Sequence, residues 1–218
     1  MTILFLIHLC VRAYSADPFD HTHKAWDLLL KKYVVSKGNQ TTVKYGELNK
    51  NKGVLKAYTQ TLQKVTKDDF RNFSIDERLA FLINSYNALT IELVVDNWRV
   101  KSINDIGGLL APPWKKRFFT LLEEREYLEH LQTELIRKTY HDPRVLFALS
   151  CAAKSCPPLR AEAYVGGRLN HQLEEATQAF LKDRSKNHYD AKANTVFVSS
   201  MFKWYSGDFE DKYGSVQA

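Results

Sequence analysis

A long apolar stretch with its own start signal constrains this chain most. Ser74-Ile75-Asp76-Glu77 has capping-box spacing, in which the serine hydroxyl and the carboxylate three residues on satisfy each other's backbone N–H groups. Behind it, Leu79-Ala80-Phe81-Leu82-Ile83-Asn84-Ser85-Tyr86-Asn87-Ala88-Leu89 continues a helical pattern to about Val95. A helix that is apolar nearly all round must be wrapped by other elements. The chain is therefore expected to fold around a buried central helix. Its 218 residues, 44% hydrophobic and 26% charged, suit one compact domain. Nine Gly and six Pro exclude a collagen-like or linker-dominated chain, and three Cys are too few for a disulfide scaffold.

The remaining pattern is mainly helical. Residues 22–35 read as an amphipathic helix with Trp26, Leu29, Leu30 and Tyr33 on one stripe. Residues 43–45 suggest a short strand and residues 48–65 a second helix. Residues 103–118 are irregular, with Gly107-Gly108 and Pro112-Pro113. Residues 124–140 read as a helix broken by Asp142-Pro143, and the apolar run 145–149 has strand length. A helix over 170–182, a strand over 195–199 and an aromatic helical turn over 200–209 follow. The expectation is an α+β fold: one mainly helical domain with a small β-sheet.

Residues 1–11 form an apolar run interrupted only by His8 and followed by Arg12. This is too short to span a bilayer and fits the core of a signal peptide. Ala13 and Ser15 put small residues at the positions needed for cleavage after Ser15, so residues 1–15 are expected to be a leader and 16–218 the domain. Periplasmic or secreted localisation follows, with no integral membrane segment once the leader is gone. The whole chain carries 31 Lys and Arg against 25 Asp and Glu. Its cations are dispersed apart from Lys31-Lys32 and Lys115-Lys116-Arg117, which reads as solvated surface, so no nucleic-acid partner is expected.

Three constellations bear on chemistry. Asn84 and Asn87 share a helix face, and amides in so apolar a helix need specific partners. Bracing of an irregular loop such as 107–114 is favoured over substrate contact. The second is Ser150-Cys151-Ala152-Ala153-Lys154-Ser155-Cys156-Pro157-Pro158-Leu159-Arg160. Lys154 and Arg160 flank Cys156, and positive charge lowers a thiol pKa. Three readings stay open: a nucleophilic Cys156 (with Cys151 as its neighbour), a Cys151–Cys156 disulfide, or two inert small hydrophobes. A nucleophilic thiol needs a base, for which His130 and His141 are the candidates. The third is Met201-Phe202-Lys203-Trp204-Tyr205-Ser206-Gly207-Asp208-Phe209, which reads as a packing clamp. No metal-ligand spacing and no Gly-rich phosphate loop is present, so neither a metal nor a cofactor is expected.

The segments LAFLINSYNALTIELV (79–94), SINDIGG (102–108), PWKKRFFTL (113–121), DPRVLFALSCAAKSCPPLR (142–160) and FKWYSGDF (202–209) together resemble the domain-of-unknown-function 547 family, over roughly residues 70–210. The resemblance implies that Asn84, Asn87, Trp114, Arg144, Cys151, Cys156, Lys203, Trp204 and Tyr205 occupy family motif positions. Bacterial members are typically small, exported and enzymatically undefined. Where many members carry an Ile-Glu-His and a further His, this chain has Leu131-Gln132-Thr133 and Leu146. Two functions follow as expectations. One is a thiol-dependent hydrolase or acyl-transfer enzyme of the cell envelope using Cys156. The other is a non-catalytic envelope domain, binding a peptide, glycan or protein, with a Cys151–Cys156 disulfide.

Overall fold

A computed structural model describes residues 19–107 and 112–216. The proposed leader, residues 1–15, lies outside the described residues. The described residues run through α1 (Lys24–Tyr33), a hairpin of β1 (Val34–Lys37) and β2 (Gln40–Val43), then α2 (Tyr45–Lys50), α3 (Lys52–Gln63) and α4 (Lys67–Asn72). Helix α5 (Ile75–Asp96) follows, and its capping box forms: Ser74 Oγ accepts from Glu77 N, and Glu77 Oε2 accepts from Ser74 N at 2.9 Å. From Leu79 to Leu89 every residue of α5 is buried. Each fully buried Leu, Ile or Phe adds about 1.5–3 kcal/mol. Against α5 pack α2, α3 and the turn Gly166–Arg168; Trp26 stacks on Tyr58 with ring centroids 5.6 Å apart on the α1 side. By length and composition α5 resembles a membrane span, but it is the core helix of this domain.

The second half departs from the sequence pattern in places. Residues 124–140 do not form one helix. Phe119–Leu121 (β3) and Glu124–Glu126 (β4) pair antiparallel through Leu122 and Glu123, both at positive φ (50° and 66°). A two-residue turn of that hand matches strand twist, yet neither residue is the usual Asn or Gly, so no turn signal marks it. The helix starts at α6 (Leu128–His130), widens into a π segment (Leu131–Arg137) and closes as α7 (Lys138–Tyr140). The expected strand 145–149 is a short helix, α8 (Val145–Ala148). All of its residues are buried, and among the described residues no neighbouring strand offers a ladder, so local backbone bonds serve it better. The helix expected over 48–65 is split at Asn51 into α2 and α3. The strand expected at 43–45 ends at Val43, where it pairs with Val34.

After the cysteine loop come α9 (Leu169–Leu181), the hairpin β5 (His188–Asp190) and β6 (Thr195–Phe197), α10 (Met201–Trp204) and α11 (Ser206–Tyr213). A small second core gathers Leu146, Phe147, Ala176, Phe180, Met201 and Phe209. The fold is α+β and mainly helical, as expected, but its strands make three separate two-stranded hairpins rather than one sheet.

Candidate functional site

The cysteine loop is held from beneath by α5. Asn87 Nδ2 donates to the Ala148 carbonyl at 2.9 Å, and its Oδ1 accepts from Ser150 N at 2.8 Å. One turn earlier, Asn84 Nδ2 donates to the Tyr164 carbonyl at 2.7 Å and Oδ1 accepts from Tyr164 N at 3.0 Å. Each amide thus treats a loop backbone as a strand treats its neighbour, and both ends of the 148–164 segment are pinned to one helix. Both asparagines are buried. Among the described residues, the segments they hold are 148–150 and Tyr164. Gln172, on the buried face of α9, adds a third clamp: Nε2 donates to the Ala163 carbonyl at 2.8 Å and Oε1 accepts from Val165 N at 2.9 Å. A glutamine set between Leu169 and Leu173 was the only sequence signal for it.

Within this frame Cys151 and Cys156 are joined as a disulfide with Cα atoms 5.7 Å apart, inside the usual range. Ala152 takes φ 56° to turn the chain, and Cys156 N donates to the Ala153 carbonyl at 3.1 Å. Cys156 and Pro157 are buried, whereas Lys154 is exposed. Arg160 does not serve the sulfur. It pairs with Glu162 and Glu175, both at 2.5 Å. Of the three readings of the cysteines, the bridged pair is the one this geometry contains.

The candidate bases stand apart. His130 Nδ1 lies 2.8 Å from Glu126 Oε2, a carboxylate that is buried. His141 ends α7 at φ 49°, is exposed, and lines a cavity of about 240 Å³ with Asp208, Asp211 and Lys212. Among the described residues no hydrogen bond joins either imidazole to a sulfur. Arg144 is bound to Asp142 at 2.7 Å and to Asn170 at 2.9 Å, and Trp114 packs half-buried on the main core. In the aromatic segment Arg137 Nε donates to Asp208 at 3.1 Å, and its guanidinium lies 4.4 Å from the Tyr205 ring centroid. This is the expected clamp, yet Lys203 and Trp204 take no part in its buried core and are exposed.

A cleft of about 420 Å³ lies elsewhere, between the starts of α1 and α5 and the 162–168 segment. His21, Asp27, Lys31, Glu77, Glu162 and Arg168 supply its charges. Burial alone would raise the Glu162 carboxyl, but hydrogen bonds from Gln172 and Arg160 prevail and hold it at about 2. Gly166 forms a wall pressed on α5: a Cβ there would sit 2.8 Å from Glu77 Cγ and 3.1 Å from Glu77 N. The sequence marked Glu77 as a cap and left Gly166-Gly167 unread. His21 is half-buried, with its ring centroid 4.3 Å from that of Phe73 and its Nδ1 3.7 Å from Glu77 Oε1.

Fold and site together define a mainly helical α+β domain with an asparagine-clamped, disulfide-bridged loop and no clustered metal ligands among the described residues. The chain belongs to the family described as "Protein of unknown function, DUF547", whose model matches residues 70–181. That match takes in α5, the cysteine loop and α9. No curated protein and no solved structure matches the chain.

Proposed function

We propose that this protein is a non-catalytic, disulfide-stapled binding domain of the cell envelope or the secreted compartment. The Cys151–Cys156 bond carries the reading: a bridged sulfur is no nucleophile, and such bridges persist where the surroundings are oxidising. Its ligand is a polar one, a peptide or a glycan. The cleft beside Gly166 supports this, because Asp27, Glu77, Glu162, Lys31 and Arg168 all line it. Iodoacetamide labelling tests the first part. Native protein leaves Cys151 and Cys156 unlabelled until reductant is added; rapid labelling of Cys156 in untreated protein overturns the reading. Peptide and glycan arrays test the second, with retention by the parent chain lost in Arg168→Glu.

A second reading, a thiol-dependent hydrolase or acyl-transfer enzyme working with Cys156 reduced, is favoured by the Glu126–His130 contact. The two atoms lie 2.8 Å apart, and an imidazole beside a carboxylate is a candidate general base. That reading requires an acyl-type activity probe to label Cys156 after reduction and to miss Cys156→Ser.

A further inference from the structure

The hairpin of β5 and β6 is the least covered part of the described chain. Tyr189, Val196, Phe197 and Val198 are 59%, 66%, 47% and 58% exposed, and Trp204 is 66% exposed. Cross-strand register puts Tyr189 opposite Val196 and His188 opposite Phe197, with the His188 and Phe197 rings stacked at 4.9 Å. Neighbouring pairs point to opposite faces of a ribbon. Both faces of this ribbon therefore carry exposed apolar side chains, and β6 is exposed along its whole length. The base is secured: Asn187 Nδ2 donates to the Phe180 carbonyl at 2.8 Å, and Asn187 Oδ1 accepts from Ser199 N at 3.0 Å. An isolated two-stranded hairpin with no covered face is marginal in water. This one is held at its root and left bare beyond it.

The charges around it have one sign in excess. Lys182, Arg184, Lys192 and Lys203 are exposed, with Lys192 in the turn between the strands. Asp183 is buried and bound to Lys186 and Ser185, and Asp190, half-buried at the end of β5, accepts from Lys192 N at 2.9 Å and Ala193 N at 3.2 Å. A protein partner would cover one face of a ribbon. The headgroup zone of a bilayer surrounds both, prefers Trp and Tyr at its boundary, and draws Lys and Arg when its lipids are anionic. The geometry points to the β5–β6 hairpin and Trp204 as a docking finger for an anionic lipid surface. This goes beyond the ligand cleft and does not depend on it.

The test uses the full chain and vesicles of phosphatidylcholine with and without phosphatidylglycerol. Anionic vesicles are expected to shift the tryptophan emission of the parent to the blue and to leave Trp204→Phe unshifted, which locates the contact. Partitioning onto these vesicles is expected to fall about tenfold or more in Phe197→Ser/Val198→Ser and in Lys192→Glu/Lys203→Glu, and to weaken with added salt. The proposal is overturned if Trp204 emission ignores anionic vesicles, or if the serine pair partitions like the parent. It is equally overturned if sedimentation shows a parent dimer that the serine pair abolishes, since a second copy would then be the occupant.

Discussion

Helix α5 and strand β6 both carry apolar side chains, yet these meet opposite fates. From Leu79 to Leu89 α5 is buried on every side, and even its asparagines are consumed by loop backbone. In the hairpin, Val196, Phe197 and Tyr189 all face outward. The difference lies in the neighbours. Around α5 stand α2, α3, the Gly166–Arg168 turn and the π segment, whereas the hairpin pairs chiefly with itself. An apolar residue reports a tendency to leave water, and only the surrounding elements decide whether it can. The family match follows the same division, since it covers α5 and stops at Leu181, before the hairpin.

The largest expected effect falls on the α5 side. Asn87→Ala leaves the Ala148 carbonyl and the Ser150 N–H without their partner in a buried setting, and should cost about 3 kcal/mol or more in denaturant unfolding. A loss below about 1 kcal/mol would mean that the loop does not lean on α5.

Acid should act on the same half of the molecule. His23 is buried, with Nδ1 2.8 Å from Tyr58 Oη, and burial pushes its pKa down from 6.5 to about 4. The unfolded chain binds this proton first, so stability should fall as pH drops from about 6.5 to 4, by up to about 3 kcal/mol. Glu162, held at about 2, has the opposite preference for charge, and its contribution is present above about 4.5 and lost below it. Melting temperature against pH should therefore show two falling stretches, the upper one flattened in His23→Gln and the lower one in Glu162→Gln.

Reducing the Cys151–Cys156 bridge should cost about 2 kcal/mol, the entropy expected for so short a loop, and Cys151→Ser/Cys156→Ser should match the reduced protein. A reductant effect that persists in the serine pair would show that this bridge is not its source. The smallest effect belongs to the hairpin. Val196→Ser and Phe197→Ser should each shift stability by no more than about 0.5 kcal/mol. A larger loss would show that the ribbon is covered in solution and would erase the contrast with α5.

The sequence alone was enough for the central helix, its Ser74–Glu77 cap, the need of Asn84 and Asn87 for buried hydrogen-bond partners, and the aromatic packing around Phe202 and Phe209. These rest on rules that act within a few residues: helical periodicity, reciprocal capping and the cost of an unpaired amide. It also placed the two cysteines close enough to bridge, but left the choice among bridge, nucleophile and filler open. The tertiary structure brought the two sulfurs together, and it also turned 145–149 into a helix, built β3 and β4 through two left-handed residues, opened the cleft at Gly166 and bared the β5–β6 ribbon. Each of these depends on which distant segment lies alongside, and an apolar run or a charged side chain carries no record of its future neighbour.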